Sequence, residues 1–261
     1  MDNVNKTLYI PLRGKAHVSR LGILLSDPDA EKIWATEGFP LKGKSASKWL
    51  AYSMGIRASV FDRWLASQLE EAPDAIVLHL GCGLDSRCRR VNTGNLWFDV
   101  DFPAVIEERK RYFSQSGNYR MVGCDLREDF LKDIPRGKAI VVMEGVSMYL
   151  NARERQELLR RLSEHFSHAQ LLMDTYTAFA AKATKYKNPI NDVGVTQVYG
   201  FDDPREPESG TGFHFLREHN MNPAELIAQL PRKDQGIFKL VYGGKMASKI
   251  CRLYEYRAKR P

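Results

Sequence analysis

The sequence predicts an α/β fold in which a mostly parallel sheet is finished by an antiparallel pair of strands. From about residue 74, short apolar runs alternate with longer amphipathic runs, which is typical of βαβ units. Two β-like runs lie close together near the C-terminus, and a short separation favours antiparallel pairing. With 261 residues, 43% of them hydrophobic, the chain is long enough for one large buried core.

Five strands are predicted in the parallel part of the sheet, at residues 75–80, 96–100, 119–124, 139–144 and 170–175. A helix over 103–114 is predicted by a proline in its first turn. A second, over 152–166, follows Asn151 as a capping residue and has leucines along one stripe. Strand and helix therefore alternate as a parallel sheet requires.

The flanking segments predict a helical cap and a lid. Residues 1–72 have helical patterns at 29–34 and 48–69 and no strand pattern, whereas 73–261 form the α/β domain, and we expect the two to be one structural unit. Periodicity lapses over about 177–220, after the fifth strand, and a long irregular stretch in a compact domain is often functional. A mobile surface loop is the alternative. A helix over 223–230 and β-like runs at 236–242 and 248–256 complete the chain.

Charge and composition restrict the partners. The net charge of +7, from 39 basic and 32 acidic residues, is spread over several helices and favours an anionic partner, either a carboxylate substrate or nucleic acid. A solvated basic surface explains the charge better than a nucleic-acid-binding surface does, so we expect a small-molecule acceptor. No apolar run is long enough to cross a membrane and the start has no signal-peptide pattern, so we expect a cytoplasmic protein without a membrane partner. The four cysteines show no disulfide or metal-ligand spacing.

A glycine loop follows the first predicted strand, at Gly81-Cys82-Gly83. Glycines allow a sharp turn and let a ligand lie directly against the main chain, as in nucleotide sites. Tight packing of a helix on the sheet is the alternative. A dinucleotide fingerprint would have a third glycine where this chain has Ser86, which argues against a bound pyrophosphate.

Acidic residues end the next two strands. Asp99 and Asp101 lie about 20 residues beyond the loop, on the same side of an extended chain, so either could accept the hydroxyls of a ribose. Asp101 also suits a helix N-cap. Asp125 and Leu126 follow the third strand and suit an adenine, the carboxylate accepting from the amine and the leucine packing on the ring. Alternatively, Asp125 caps the turn that follows.

Glu144 ends the fourth strand in an apolar run, where a bare carboxylate is costly to bury without a cation. A bound sulfonium or amino group would provide one. Arg57 would also do so, and its guanidinium could bind a ligand carboxylate as well. The position therefore requires a cation, which either a ligand or Arg57 would supply.

These motifs, in this order, resemble the leucine carboxyl methyltransferase family, which includes polyketide O-methyltransferases of the tetracenomycin type. The matching segments are Leu80-Gly81-Cys82-Gly83-Leu84-Asp85-Ser86-Arg87, Phe98-Asp99-Val100-Asp101-Phe102-Pro103, Cys124-Asp125-Leu126-Arg127 and Glu144-Gly145-Val146-Ser147-Met148-Tyr149-Leu150, with weaker support from Gly55-Ile56-Arg57. The resemblance implies a seven-stranded, Rossmann-like class I methyltransferase fold that binds S-adenosylmethionine. It also implies a cofactor site made by Lys15, Arg57, Gly81, Asp101, Asp125, Leu126 and Glu144.

The expected reaction is O-methylation of a small-molecule or polyketide-like acceptor, on a carboxylate or a hydroxyl. A carboxylate is already ionised at neutral pH, whereas a phenol benefits from a base, and no histidine or carboxylate pair offers one. This favours a carboxylate. A nicotinamide-dependent oxidoreductase is an alternative that shares the glycine loop, and Ser86 argues against it. An RNA-modifying or nucleic-acid-binding protein is another, but the Asn/Asp-Pro-Pro-Tyr run of base-amine methyltransferases is missing.

Overall fold

A seven-stranded mixed sheet forms the centre of the protein, in the order β3-β2-β1-β4-β5-β7-β6. The computed structural model describes residues 7–91, 94–183, 197–243 and 248–259. Strands β1 to β5 are parallel, and β7 pairs antiparallel with both β5 and β6. The strands are β1 Ile76–Leu80, β2 Trp97–Asp101, β3 Tyr119–Gly123, β4 Lys138–Met143, β5 His168–Tyr176, β6 Phe213–His219 and β7 Cys251–Lys259. The predicted α/β fold and its five parallel strands are confirmed.

Helices flank the sheet and precede it. They are α1 Tyr9–Arg20, α2 Pro28–Glu37, α3 Lys48–Glu71, α4 Arg87–Arg90, α5 Pro103–Arg109, α6 Ala152–His165, α7 Ala178–Ala183, α8 Ala224–Ile227 and α9 Arg232–Tyr242. Local sequence sets several of their starts. The Ser47 hydroxyl accepts from the Leu50 amide at the start of α3, and Asn151 forms a capping box with Glu154 at the start of α6.

Four of the parallel strands, β1, β2, β4 and β5, are buried on both faces, which explains their largely apolar sequences, whereas β3 is partly exposed. Val77, Val142 and Leu172 face a cluster that contains α3 and Phe238 of α9. Their neighbours in sequence, Leu78, Val141 and Leu171, face the opposite cluster with the leucines of α6. The helix α3, in the segment predicted as a cap, therefore packs directly on one face of the sheet.

The predicted C-terminal antiparallel pair is present, but the prediction of its first strand is wrong. Residues 236–242 belong to the helix α9, whose Asp234 and Phe238 are buried on one side while Leu240 is 79% exposed. A run of apolar residues with an exposed face resembles a strand, although burial four residues apart indicates a helix. The strand that pairs with β7 is β6, so the order along the chain differs from the prediction.

The predicted lid over 177–220 is also too long. Residues 178–183 form α7 and residues 213–219 form β6, so a regular element begins and ends the segment. Residues 184–196 lie outside the described part. The charged residues of β6 hide its strand pattern, because Arg217 and Glu218 face outward at the edge of the sheet beside a register shift.

Glu255 holds the β6 edge to β7. Its carboxylate is fully buried, and His219 Nε2 and Arg217 Nε each lie 2.6 Å from Oε2. Burial alone would raise the pKa of Glu255, but the hydrogen bonds from His219 and Arg217 lower it to about 2. A carboxyl whose pKa falls on folding stabilises the protein above its ordinary pKa, and that contribution is lost as the pH falls towards the folded value.

We expect Glu255→Gln to lower the free energy of unfolding at pH 7 by about 2 kcal/mol, because hydrogen bonds to a charged acceptor are weakened. The difference from wild type should shrink as the pH falls from 4.5 towards 2. Urea unfolding at several pH values measures both. The control Glu218→Gln removes a half-exposed carboxylate from the same edge of the sheet and should change stability by less than about 0.5 kcal/mol. A pH-independent gap for Glu255→Gln would contradict this account.

Candidate cofactor site

A cavity of about 350 Å³ opens at the carboxyl ends of β1 to β5. Ligands of open α/β sheets bind at this edge, where the strand order reverses between β1 and β4. Eight of the nine residues predicted for the site line it, namely Lys15, Arg57, Gly81, Gly83, Asp101, Asp125, Leu126 and Glu144. Asp99 does not.

The glycine loop needs its glycines because of backbone angle and space. Gly81 and Gly83 have φ angles of 67° and 51°, which side chains rarely permit. A Cβ on Gly81 would lie 2.2 Å from Cγ2 of Val146, so the loop after β1 presses directly against the loop after β4. The bare main chain beside this contact is the kind of cradle in which a nucleoside can approach the backbone.

Asp101 ends β2 at the rim of the cavity. Its Oδ2 accepts from the Gly83 amide and its Oδ1 from the Phe102 amide, both at 2.7 Å. Burial raises the pKa of Asp101 to about 6, although both amides favour the charged form. The carboxylate thus holds the glycine loop and the start of α5 while it lines the cavity, which is a suitable position for accepting ribose hydroxyls.

Asp99 is predicted as an alternative ribose ligand, and the structure places it elsewhere. It is fully buried inside the sheet and accepts hydrogen bonds from Trp97 Nε1 at 2.9 Å, from the Tyr119 hydroxyl at 2.6 Å and from Arg109. Asp99 lies two residues before the end of β2, where α5 and β3 enclose its side chain. Arg109 also donates to the Gly83 carbonyl at 3.0 Å, so Asp99 supports the loop indirectly.

Asp125 follows β3 with Leu126 next to it, and both line the cavity. The Asp125 carboxylate also closes the following turn, since it accepts from the Arg127 amide at 2.9 Å and from the Arg127 side chain at 2.5–3.0 Å. Burial alone would raise the pKa of Asp125, and the hydrogen bonds from Arg127 lower it overall. Turn capping and access to an adenine amine are therefore both compatible with this geometry.

Two arginines supply the positive charge that Glu144 requires. Arg57 Nε donates to Oε1 at 3.0 Å, and Arg87 donates to Oε2. Burial alone would raise the pKa of Glu144, but Arg87 and Arg57 lower it to about 2. The sequence predicts Arg57 for this position. It does not predict Arg87, although that residue stands just after the glycine loop, because a buried arginine cannot be distinguished from a surface arginine by sequence alone.

Lys15 connects the first helix to the glycine loop. Its Nζ lies 3.0 Å from Asp85 Oδ2, and both side chains are buried. Burial alone would raise the pKa of Asp85, but Arg87, Arg90 and Lys15 hold it well below its usual range. This ion pair brings α1 over the loop, so that Lys15 and apolar residues of α1 form one wall of the cavity.

Among the described residues, the site offers no obvious general base. His79 lies beneath the glycine loop and is only 1% exposed. Burial lowers its pKa, and its Nε2 lies 3.1 Å from Arg87 Nη1, so the neutral ring accepts a hydrogen bond there.

Across residues 7–91, 94–183, 197–243 and 248–259, no group of three His, Cys, Asp or Glu side chains could hold a metal ion. In that same part of the chain, no helix is long and apolar enough to cross a membrane.

The strand order, the antiparallel β7, the glycine loop and the acids after β2, β3 and β4 define a class I S-adenosylmethionine-dependent methyltransferase. Residues 15–163 match the leucine carboxyl methyltransferase family. The chain is 32% identical to the tetracenomycin polyketide synthesis O-methyltransferase TcmP of Streptomyces glaucescens, over 87% of each chain. It belongs to the leucine carboxyl methyltransferase family and is an O-methyltransferase that uses S-adenosylmethionine.

Other comparisons agree with this class. The S-adenosyl-L-methionine-dependent methyltransferase dpfgK of Gibberella zeae is 30% identical over 64% of this chain and 62% of its own length. Magnesium protoporphyrin IX methyltransferase of Synechocystis PCC 6803, solved with S-adenosylhomocysteine, has a TM-score of 0.51 at 11% identity, covering 88% of this chain and 93% of its own. The last match shows the fold alone. The oxidoreductase and nucleic-acid alternatives find no support in these relatives.

The contact between Gly81 and Val146 yields a direct test. We expect Gly81→Ala to weaken S-adenosylhomocysteine binding at least about tenfold and to destabilise the fold, because the new Cβ clashes with Val146 at a strained φ angle. The control Gly22→Ala has nearly the same φ angle, 64°, with nothing within 4 Å, so it isolates the cost of backbone angle. Calorimetry and thermal unfolding measure both variants. Equal losses in the two would show that the loop contact is unimportant.

Proposed function

We propose that the chain methylates a carboxylate on a small, largely apolar, polyketide-like metabolite. The observation that carries this proposal is that, among the described residues that line the cavity, no side chain is free to deprotonate a phenol once the carboxylates proposed to bind the cofactor are set aside. Lys15 and Arg57 are held in ion pairs, and His79 is buried beneath the loop. A carboxylate needs no base, because it is ionised at neutral pH. A hydroxyl acceptor is the alternative.

We propose one orientation of the cofactor in the cavity. Asp101 would hold the ribose beside the glycine loop, and Asp125 with Leu126 would hold the adenine at the β3 end. Glu144, Arg57 and Lys15 would surround the amino and carboxylate groups of the methionine part. When bound, S-adenosylmethionine supplies a methyl group on a positively charged sulfur. The donor set supports this orientation, since carboxylates would face the hydroxyl and amine groups of the cofactor and cations would face its carboxylate.

The remaining wall of the cavity would receive the acceptor. It is apolar and aromatic, with Ile10 and Pro11 from the first helix, Leu50 and Met54 from α3, and Met148 after β4. Such a surface aligns a rigid apolar molecule and excludes water, which an in-line methyl transfer requires. Tyr149 and Tyr176 line the same part and are candidate contacts to the acceptor. The name of TcmP, which refers to polyketide synthesis, supports a metabolite of this kind.

We also propose that the first 72 residues and the rest of the chain act as one structural unit. Support comes from α3, which packs on the sheet, and from Lys15, which forms an ion pair with Asp85 beside the glycine loop.

A cytoplasmic location is proposed as well. The four cysteines are all free thiols, which suits a reducing compartment.

Asp101 provides the cleanest test of the cofactor orientation. We expect Asp101→Asn to raise the dissociation constant of S-adenosylhomocysteine at least about tenfold, since a charged acceptor of ribose hydroxyls is lost. Adenine alone should bind with unchanged affinity. The control Asp234→Asn changes a buried aspartate that bonds Lys48 and Tyr52 away from the cavity. Unchanged affinity of S-adenosylhomocysteine in Asp101→Asn, measured by calorimetry, would show that the ribose lies elsewhere.

The acceptor group can be established from the product. We expect labelled S-adenosylmethionine and a panel of aromatic acids and phenols to give a methyl ester, which releases methanol in dilute alkali. Mass spectrometry of the product before and after alkali treatment measures this. An alkali-stable methyl ether would contradict carboxyl methylation and favour the hydroxyl alternative, and the two outcomes are distinguished for each acceptor that reacts.

A further inference from the structure

Asp174 lies near the end of β5, behind the residues that line the cavity. Its side chain is completely buried. Oδ2 accepts from Arg57 Nη1 at 2.9 Å, and Oδ1 accepts from the Gly145 amide at 2.6 Å. The same carboxylate therefore contacts both the arginine proposed to bind the cofactor and the backbone of the loop after β4.

The sheet places Asp174 beside Glu144. Met143 of β4 is in register with Met173 of β5, so the two carboxylates follow at neighbouring positions of parallel strands. Arg57 lies between them and donates to each, through Nε to Glu144 and through Nη1 to Asp174. Burial raises the pKa of Asp174, and the charge of Arg57 offsets this only in part. A buried pair of neighbouring carboxylates depends on the guanidinium between them.

These two contacts fix the direction of the guanidinium plane. Nε and Nη1 are engaged by protein carboxylates, whereas Nη2 has no hydrogen-bond partner in the part of the chain that the structure describes. The plane lies against Gly145, where a Cβ would be 3.4 Å from Nη2. Arg57 lines the cavity, and Nη2 is the terminal nitrogen that no described protein group engages, so we expect Nη2 to be the nitrogen that bonds a ligand.

We infer that Asp174 is a positioning residue that orients Arg57 towards the carboxylate of the cofactor's methionine part. The inference rests on the proposed function in one respect, the role of Arg57. Without the Asp174 charge, Arg57 would keep a single fixed bond to Glu144, and the guanidinium could rotate away from the ligand. Ordering the side chain before binding saves entropy that would otherwise be lost on binding.

A comparison of two ligands tests this inference. S-adenosylhomocysteine has the amino acid part, whereas 5′-methylthioadenosine has the same nucleoside and thioether without it. For Asp174→Asn, which keeps an acceptor for the Gly145 amide, we expect at least tenfold weaker binding of S-adenosylhomocysteine and less than a twofold change for 5′-methylthioadenosine. Asp174→Glu keeps the charge and should recover part of the loss. Calorimetry on the full chain measures each value, with Asp234→Asn as the matched control.

The outcomes separate this inference from the proposed function. Equal weakening of both ligands in Asp174→Asn would show a general structural role and overturn the inference, as would unchanged binding of both. Arg57→Lys tests the role of Arg57 itself. If Arg57→Lys leaves the preference for S-adenosylhomocysteine intact, the proposed orientation of the cofactor fails. If Arg57→Lys loses that preference while Asp174→Asn keeps it, only the positioning role of Asp174 fails.

Discussion

The buried ion pairs at the carboxyl edge of the sheet are the constraint on which the site depends. Glu144 is bound by Arg57 and Arg87, and Asp174 shares Arg57. Each of these charges has lost most of its hydration, which is favourable only when every partner is present and well oriented. Removing one member costs about 3–5 kcal/mol in comparable pairs, because the remaining charge stays buried. The cluster therefore fixes α3, β4, β5 and the glycine loop relative to one another.

This arrangement also explains how the carboxyl edge of the sheet can both stabilise the fold and bind a ligand. Glu144 is paired with two arginines, which lower its pKa to about 2 and keep it ionised at neutral pH. Asp101 differs, since two amides hold it, no arginine of the described chain bonds to it, and burial raises its pKa. Its charge is balanced mainly by hydrogen-bond donors, so it is well suited to accept further hydroxyl donors from a ligand.

Much of the fold follows from local patterns in the sequence. The five parallel strands are predicted to within two residues at each end. Four of them, β1, β2, β4 and β5, are buried on both faces and have largely apolar sequences between turn residues. The segment that forms the strand β6 is wrongly predicted as part of the lid, because it has charged residues at a sheet edge. The segment that forms the helix α9 is wrongly predicted as a strand, because it has an exposed apolar side. In both cases tertiary surroundings, which a sequence pattern does not contain, decide the structure.

The site is partly predictable for a similar reason. Residues that end parallel strands must meet at one edge of a sheet, so the order of strands and acids along the chain is enough to bring Asp101, Asp125 and Glu144 together. Side chains that act from a distance in sequence are not predictable in this way. Arg87 and Asp174 are recognised only by their contacts, and the prediction for Asp99 fails because alternation does not show which neighbouring elements enclose a side chain.

The contact of Lys15 with Asp85 has a consequence for folding. The cavity draws on the first helix, on the loop after β1 and on β5, and β5 is itself completed by the C-terminal strand β7. Its walls are thus far apart along the chain, and closing such long loops is slow. A newly made chain gains its complete pocket only after the strand β7 has been synthesised and has paired with β5. A cofactor that binds the finished fold and not the unfolded chain stabilises the folded state by mass action, so the stability of this enzyme should depend on the concentration of S-adenosylmethionine.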